Sequence, residues 1–327
     1  FGTGCFEASA GEYRIPEDAA AAPLPAEENF GSVSPDRSAE VLEIIRRAED
    51  SGLLEGQKVI FDPGCDFRPD TDIQYYCDET ILALLWKEFI DGNTVTCCEV
   101  KIADASQFRR KLADDSFGSQ TQLFATQLAA QVNPVVAMNA DLYLPREFGI
   151  AVYDRELCRF NEDVYTGSYK KYNCFDTLFI DEEGDFLFWH LLEETTPEKM
   201  REWIEEKGIV FSLAFGPILV ENGEHVPCSW YPAGEIDQGY SRAGIGQADH
   251  LHYFYMSLNH APEKEARWNV NQFGQRMAER GLQSAYCLDG GQTGELVWRG
   301  SPFNYIDFGV ERTVSDIIYF ATALPAS

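Results

Sequence analysis

The stretch AYCLDGGQT, residues 285–293, decides both the fold and the site. Its first four positions are apolar and predict a buried strand, which the Asp-Gly-Gly turn then ends. Glycines allow the backbone to approach a ligand closely, and successive N–H groups in such a turn can face an anion. Asp289 is therefore a candidate catalytic or ligand-binding carboxylate, with Gly290, Gly291 and Thr293 as further ligand-binding candidates. The alternative is that Asp289 only accepts hydrogen bonds within its own turn.

Strands and helices surround this stretch without a strict strand–helix–strand alternation. That mixture favours an α+β fold, with a mixed β-sheet and packed helices. The patterns predict helices at 38–53, 79–90, 106–112, 120–132, 196–208 and 271–280, and strands at 94–102, 135–138, 149–152, 157–160, 177–180, 186–189, 209–214, 218–220, 250–257, 284–288 and 315–322.

The chain divides into three regions. Residues 1–35 predict a disordered tether or linker, because alanine, proline and acids without apolar periodicity cannot bury enough surface to fold. Residues 36–93 predict a helical N-terminal extension, and residues 94–327 a single domain that carries the motifs. Such a tether would suit a stalk behind an upstream membrane anchor, and the chain starts at Phe1 rather than at a methionine.

The net charge of the chain argues against a nucleic-acid partner. With 54 acidic against 26 basic residues, the net charge is −28. A nucleic-acid partner is not expected, because a phosphate backbone requires a basic face. An anionic substrate would need a few arginines or lysines concentrated at its site.

Nine cysteines leave the disulfide pairing open. None forms a CxxC pair, so a structural zinc site is not expected. Cys65–Cys77 and Cys158–Cys174 are the local disulfide candidates, and buried free thiols are the alternative. His250 and His252 would share one side of a strand, but with no third ligand in evidence we predict no metal site and no cofactor.

Several segments resemble motifs of the phosphodiester glycosidase family, in the family's order. The resemblance extends over roughly residues 94–322, so that 94–327 would be the phosphodiester glycosidase domain. The segments are Val136-Ala137-Met138-Asn139-Ala140-Asp141-Leu142-Tyr143, the strand and turn at 214–223, Ser241-Arg242-Ala243-Gly244-Ile245-Gly246, the stretch at 285–293, and the closing Glu311-Arg312-Thr313-Val314.

The resemblance implies hydrolysis of the glycosidic bond of a sugar-1-phosphodiester, giving a free sugar and a phosphomonoester. Its transition state would be oxocarbenium-like. Asp289 and Asp141 would be the carboxylates, with Asn139 as a ligand for sugar hydroxyls. The alternative for Asp141 is a turn at the end of its strand. The expected setting is extracytoplasmic, on cell-envelope or extracellular glycans of a bacterium.

Arginines would hold the phosphate, because the guanidinium fork fits phosphate oxygens. Arg242 is the candidate clamp, and an ordinary surface arginine is the alternative. Glu311 is a further catalytic candidate and Arg312 a substrate-binding one. The alternative for this pair is an internal ion pair that holds the Asp289 loop.

Departures from the family keep other functions open. Ala140 and Gln292-Thr293 replace family residues, and Ser257-Leu258-Asn259-His260 stands where the family has Asp-Gly-Arg. A non-catalytic glycan-binding or exopolysaccharide-assembly protein with a degenerate site is therefore the second hypothesis. A third is an unrelated secreted α+β domain whose motifs are coincidental turns.

Overall fold

The computed structural model describes residues 22–141, 149–161, 175–191, 193–232, 235–261 and 263–324. Its helices are α1 (Val41–Asp50), α2 (Ala125–Ala129), α3 (Pro197–Lys207) and α4 (Val270–Ala278). Its strands are β1 (Phe30–Val33), β2 (Ile73–Cys77), β3 (Ile81–Ile90), β4 (Asn93–Ile102), β5 (Phe108–Leu112), β6 (Val136–Asn139), β7 (Ala151–Tyr153), β8 (Glu156–Arg159), β9 (Thr177–Asp181), β10 (Phe186–Trp189), β11 (Ile209–Leu213), β12 (Ile218–Glu221), β13 (Glu224–His225), β14 (Arg242–Asp249), β15 (His252–Leu258), β16 (Ser284–Leu288), β17 (Leu296–Trp298), β18 (Ser301–Pro302) and β19 (Asp316–Phe320).

A nine-stranded sheet, in the order β1-β2-β3-β4-β15-β14-β16-β12-β13, forms the centre of the fold. Helices α1 and α4 pack on one face, where Trp86 of β3 lies in the same apolar cluster as Ile44 and Phe273. The other face is covered by smaller sheets, and Leu85 of the same strand packs there with Phe108. Since both faces are buried, both alternating sets of side chains in a central strand are apolar.

Two smaller sheets complete this second layer. One has the order β18-β17-β6-β19-β5 and the other β10-β9-β11, while β7 and β8 form a hairpin. Their apolar side chains share one cluster with the central sheet, and Phe108 stacks on Phe320 with ring centroids 4.6 Å apart. The layers are therefore fused through a common core.

Four sequence-based predictions of secondary structure and domain organisation are wrong. Residues 81–90, expected in a helix, form β3, because burial on both faces gives a continuous apolar run that does not distinguish strand from helix. Residues 108–112, also expected in a helix, form β5. The predicted helical extension at 36–93 contains α1, but β2 and β3 belong to the central sheet. The predicted tether reaches too far, since residues 30–33 pair with β2 in an antiparallel ladder; residues 1–21 lie outside the described residues.

Most of the other predicted strands and helices are confirmed. The strands around residues 94–102, 135–138, 177–189 and 284–288 are present, and α3 runs between the Thr196 cap and Gly208 as expected. The expected helix at 120–132 shortens to α2. The structure is mostly β-sheet with few helices, and the expectation of a mixed sheet is wrong, since every ladder between the described strands is antiparallel.

One of the two candidate disulfides lies within the described residues, and it is not formed. Cys65 and Cys77 are both free thiols, so that predicted disulfide is wrong, and Cys77 is buried. Cys174 lies outside the described residues. No helix within the described ranges is both long and apolar enough to cross a membrane.

Candidate active site at the Asp289 loop

The candidate site lies where the two largest sheets meet. Strand β16 of the central sheet ends at Leu288, and the following loop leads directly to β17 of the five-stranded sheet. Strand β6 of that second sheet ends at Asn139, whose amide reaches the same loop. The loop from Asp289 to Glu295, hereafter the Asp289 loop, therefore bridges two rigid layers.

Three buried asparagines hold the Asp289 loop through its carbonyls. Asn139 Nδ2 donates to the carbonyl of Asp289 over 2.9 Å, and Asn259 Nδ2 donates to that of Gly291 over 3.1 Å. Asn304 Nδ2 donates to the carbonyl of Gly294 over 2.7 Å and also to Asn259 Oδ1 over 3.0 Å. The loop is thus fixed by side chains from three distant parts of the chain.

Gly290 is required by close packing. A Cβ atom built on it would lie 2.5 Å from the carbonyl oxygen of Ser241, a distance that real Cβ atoms do not show. This is the close backbone approach for which glycine is used. The double glycine of the sequence motif therefore seats the loop against the residue that precedes β14.

The carboxyl group of Asp289 is electrostatically unusual. Burial raises its pKa to about 7, against the opposing effects of the nearby Thr293 side chain and the charge of Arg312, while the charge of Asp141 acts in the same direction as burial. Its Oδ2 atom is buried and has no hydrogen-bond partner among the residues that the structure describes. Near neutral pH this group therefore carries a proton for much of the time, as a general acid must.

A cavity of about 370 Å³ opens beside the Asp289 loop, large enough for a sugar-sized ligand. Asp289, Gly290 and Gly291 lie in its wall together with Arg242, so the structure brings these four predicted residues to one place. Aromatic side chains line it as well, and Phe308 is 83% exposed. Aromatic rings of this kind offer large apolar contact surfaces to a ligand.

Arg242 has part of its guanidinium already engaged. Its Nη2 atom donates to the carbonyls of Glu235 and Gln238, each over 2.9 Å, and Nε lies 3.5 Å from the carbonyl oxygen of Trp268. Burial lowers the pKa of Arg242 from its ordinary value. Arginine presents five N–H donors, so the two on Nη1 remain for a ligand as far as the described contacts go.

Asp141 and Asn139 lie behind the loop rather than in the cavity wall. Asp141 is 1% exposed, its Oδ2 accepts from the backbone N–H of Ala214, and it shares the buried guanidinium of Arg110 with Asp316. Asn139 is fully buried, with its Oδ1 accepting from the N–H of Glu295. In this arrangement Asn139 has no surface for a sugar hydroxyl, and its role is to position the loop.

Glu311, Arg312 and Thr293 also contact other parts of the protein rather than line the cavity. Glu311 Oε1 accepts from Thr126 at the start of α2, and Glu311 hydrogen-bonds to the buried Glu295. Arg312 Nη2 donates to Gln292 Oε1 over 3.0 Å, and Thr293 is 1% exposed. The predicted ion pair between Glu311 and Arg312 is not among the contacts that the structure describes for them.

The two histidines of the HxH pattern are separated in space. His252 is buried in β15 with Nε2 2.7 Å from Glu99 Oε1, whereas His250 precedes the strand and lies 3.2 Å from Asp185 Oδ1. Across the described ranges, no three His, Cys, Asp or Glu side chains are grouped to hold a metal ion.

Sequence reasoning missed residues whose roles depend on long-range contacts. Asn259 was noted only as a departure from Asp-Gly-Arg, yet it holds the Asp289 loop. Asn304, Glu295 and Asp307 belong to no motif. The one available signal was that Glu295, Asn304 and Asp307 are polar residues that follow the Asp-Gly-Gly turn within about twenty positions.

Comparisons with known proteins agree with this fold. Residues 161–321 match the family described as phosphodiester glycosidase, and over this part the chain belongs to that family. No curated protein matches the sequence.

Two solved structures share the fold. The zebrafish N-acetylglucosamine-1-phosphodiester α-N-acetylglucosaminidase catalytic domain, auto-inhibited by its pro-peptide, is similar with a TM-score of 0.54 and 14% identity, over 74% of this chain and 83% of that one. A hypothetical protein from Synechocystis is similar with a TM-score of 0.53 and 14% identity, over 78% of this chain and 65% of that one.

Proposed function

We propose that the protein is a hydrolase that cleaves the glycosidic bond of sugar-1-phosphodiesters. The observation that carries the proposal is Asp289, a carboxyl group with a pKa of about 7 in the wall of a sugar-sized cavity. Family membership supports the reaction class, and the name of the zebrafish enzyme supplies the kind of substrate to test.

In the proposed reaction, the bond between the anomeric carbon and the phosphate oxygen breaks. The electron pair stays on that oxygen, which Asp289 protonates, and water adds to the anomeric carbon. The products are a free sugar and a phosphomonoester. Phosphate is already a good leaving group, with a second pKa of about 6, so a moderately acidic proton donor is sufficient.

Arg242 is proposed to bind the phosphate. It lines the same cavity, and its Nη1 donors suit an anionic oxygen. The surrounding charge of −28 opposes an anionic ligand, so this local cation matters more than it would in a neutral protein. We further propose an extracytoplasmic location and a substrate among cell-envelope or extracellular glycans, with all the catalytic residues drawn from the region 94–327.

The test is turnover of synthetic diesters such as the methyl diester of N-acetylglucosamine-1-phosphate, followed by phosphorus NMR. We expect the wild-type protein to release the phosphomonoester and Asp289→Asn to lose on the order of 10²–10⁴ in kcat. Asp50→Asn, an exposed site at the end of α1, is the matched control and should retain full activity. No release by the wild-type protein from a panel of sugars and aglycones would refute the proposal.

A non-catalytic glycan-binding protein is the second candidate. Two observations favour it: Ser257-Leu258-Asn259-His260 stands where the family has Asp-Gly-Arg, and backbone carbonyls already engage part of Arg242. It predicts binding of the same diesters in calorimetry without any product, a result that the hydrolase proposal forbids.

A further inference from the structure

A second carboxylate, which no sequence motif marks, lies in the wall of the Asp289 cavity. Asp307 is 5% exposed and lines the cavity together with Asp289. Its Oδ2 atom accepts from Ser241 Oγ over 2.6 Å, and its Oδ1 atom accepts from the backbone N–H of His260 over 2.9 Å. Both donors also belong to cavity-lining residues.

Asp307 lies beside the double glycine of the Asp289 loop. A Cβ atom on Gly291 would be 3.8 Å from Asp307 Oδ2, which is van der Waals contact, and Gly290 packs on the carbonyl of Ser241, the residue that donates to Asp307. Asp307, Ser241 and the Asp289 loop are therefore one packed unit. These contacts hold the Asp307 carboxyl group in the cavity wall beside the Asp289 loop.

The two carboxyl groups have opposite surroundings. One oxygen of Asp289 is buried without a donor among the described residues, which favours its protonated form. Each oxygen of Asp307 accepts a hydrogen bond, one from Ser241 Oγ and one from the backbone N–H of His260, so the carboxyl group is held as an acceptor. Two carboxyl groups that are hydrogen-bonded so differently suit different roles, with Asp289 as the proton donor and Asp307 as the proton acceptor.

The other acidic candidates do not meet these conditions. Asp141 shares a buried arginine with Asp316, and Glu311 is hydrogen-bonded to Glu295 and Thr126. Neither lines the cavity. Among the described residues, the cavity wall holds one further carboxylate besides Asp289 and Asp307, that of Glu235.

We propose that Asp307 is a catalytic residue that removes a proton from the water attacking the anomeric carbon. This inference rests on the proposed hydrolase function. The water oxygen bonds to the anomeric carbon as the bond to the phosphate oxygen breaks, Asp307 takes the water proton, and Asp289 donates its own to the departing phosphate. Both groups then return to their starting states by exchange with solvent.

Chemical rescue tests the assignment. Asp307→Ala and Asp307→Asn are assayed on the N-acetylglucosamine-1-phosphate methyl diester with and without sodium azide, beside wild-type protein and Asp50→Asn. We expect both variants to lose at least 10²-fold in kcat. Azide is a nucleophile that needs no base. It should therefore raise the kcat of Asp307→Ala at least tenfold and yield a glycosyl azide.

The outcomes separate the two proposals. If the wild-type protein turns over and Asp307→Ala keeps its rate, or loses it without azide rescue, the role of Asp307 is refuted while the hydrolase proposal stands. If the wild-type protein is inactive, both are refuted. Should Asp307→Ala fail to fold by circular dichroism, the nearly isosteric Asp307→Asn decides: a rate within threefold of wild type excludes Asp307 as the base.

Discussion

Replacing Glu295 by glutamine should change how the stability of the protein depends on pH. Glu295 is 1% exposed, and burial, followed by the charge of Glu311 and a hydrogen bond to it, raises its pKa to about 9 from an ordinary 4.5. Between these values the folded state binds a proton that the unfolded state lacks. Stability is therefore greatest below pH 4.5 and falls as pH rises toward 9.

The expected magnitude follows from the proton count. One extra proton on the folded state lowers the free energy of unfolding by about 1.4 kcal/mol per pH unit, or about 3 kcal/mol between pH 6 and pH 8. Glutamine can donate to Glu311 as the protonated carboxyl does, but it does not titrate. We expect the stability of Glu295→Gln relative to wild type to increase by about this amount over that interval.

The assay is urea unfolding of both proteins at pH 6, 7 and 8, followed by tryptophan fluorescence. Glu202→Gln, an exposed position on α3, is the matched control and should show no pH-dependent difference from wild type. Other carboxyl groups with a raised pKa, such as that of Asp289, affect the pH dependence of stability equally in both proteins, so their effects cancel in the comparison. A difference between Glu295→Gln and wild type that stays constant with pH would refute the protonated buried glutamate.

Three further predictions concern the loop and its support. If Asp289 is the acid, kcat/KM should fall as pH rises through about 7, and this limb should be missing from the residual activity of Asp289→Asn. Gly290→Ala should reduce kcat at least tenfold, because the new Cβ would meet the carbonyl of Ser241 at 2.5 Å and displace the loop; unchanged kinetics would contradict this packing. Arg110→Ala should lower the free energy of unfolding by about 3–5 kcal/mol, since Asp316 would remain buried without its cation, and denaturant titration measures this directly.

The fold could be predicted only where a pattern is local. The strands predicted at 177–180 and 186–189 and the helix predicted at 196–208 depend on neighbouring residues, and the structure has all three close to these bounds. The prediction for residues 81–90 failed because burial on both faces of the sheet removes the alternation of apolar and polar residues that distinguishes a strand. Residues 108–112 failed for a related reason: Arg110 in β5 is fully buried by its pairing with Asp316, a contact that a polar sequence does not reveal.

The candidate site was foreseen in part for the same reason. Asp289, Gly290 and Gly291 are adjacent in the chain, and their turn is visible as a motif. Arg242 was predicted from the family resemblance of residues 241–246. Asp307 and Asn304 contribute through contacts across 66 and 45 residues of chain, respectively, and such pairing cannot be derived from spacing.

The carbonyl groups of the Asp289 loop have a consequence for ligand selection. Those of Asp289, Gly291 and Gly294 accept from asparagine amides, and that of Gly290 accepts from backbone N–H groups within the loop. These carbonyl oxygens thus accept hydrogen bonds from within the protein rather than from a ligand. The turn therefore presents less negative partial charge to the cavity than free carbonyl oxygens would. An anionic ligand that has approached against the net negative charge of the protein is repelled less at the loop itself.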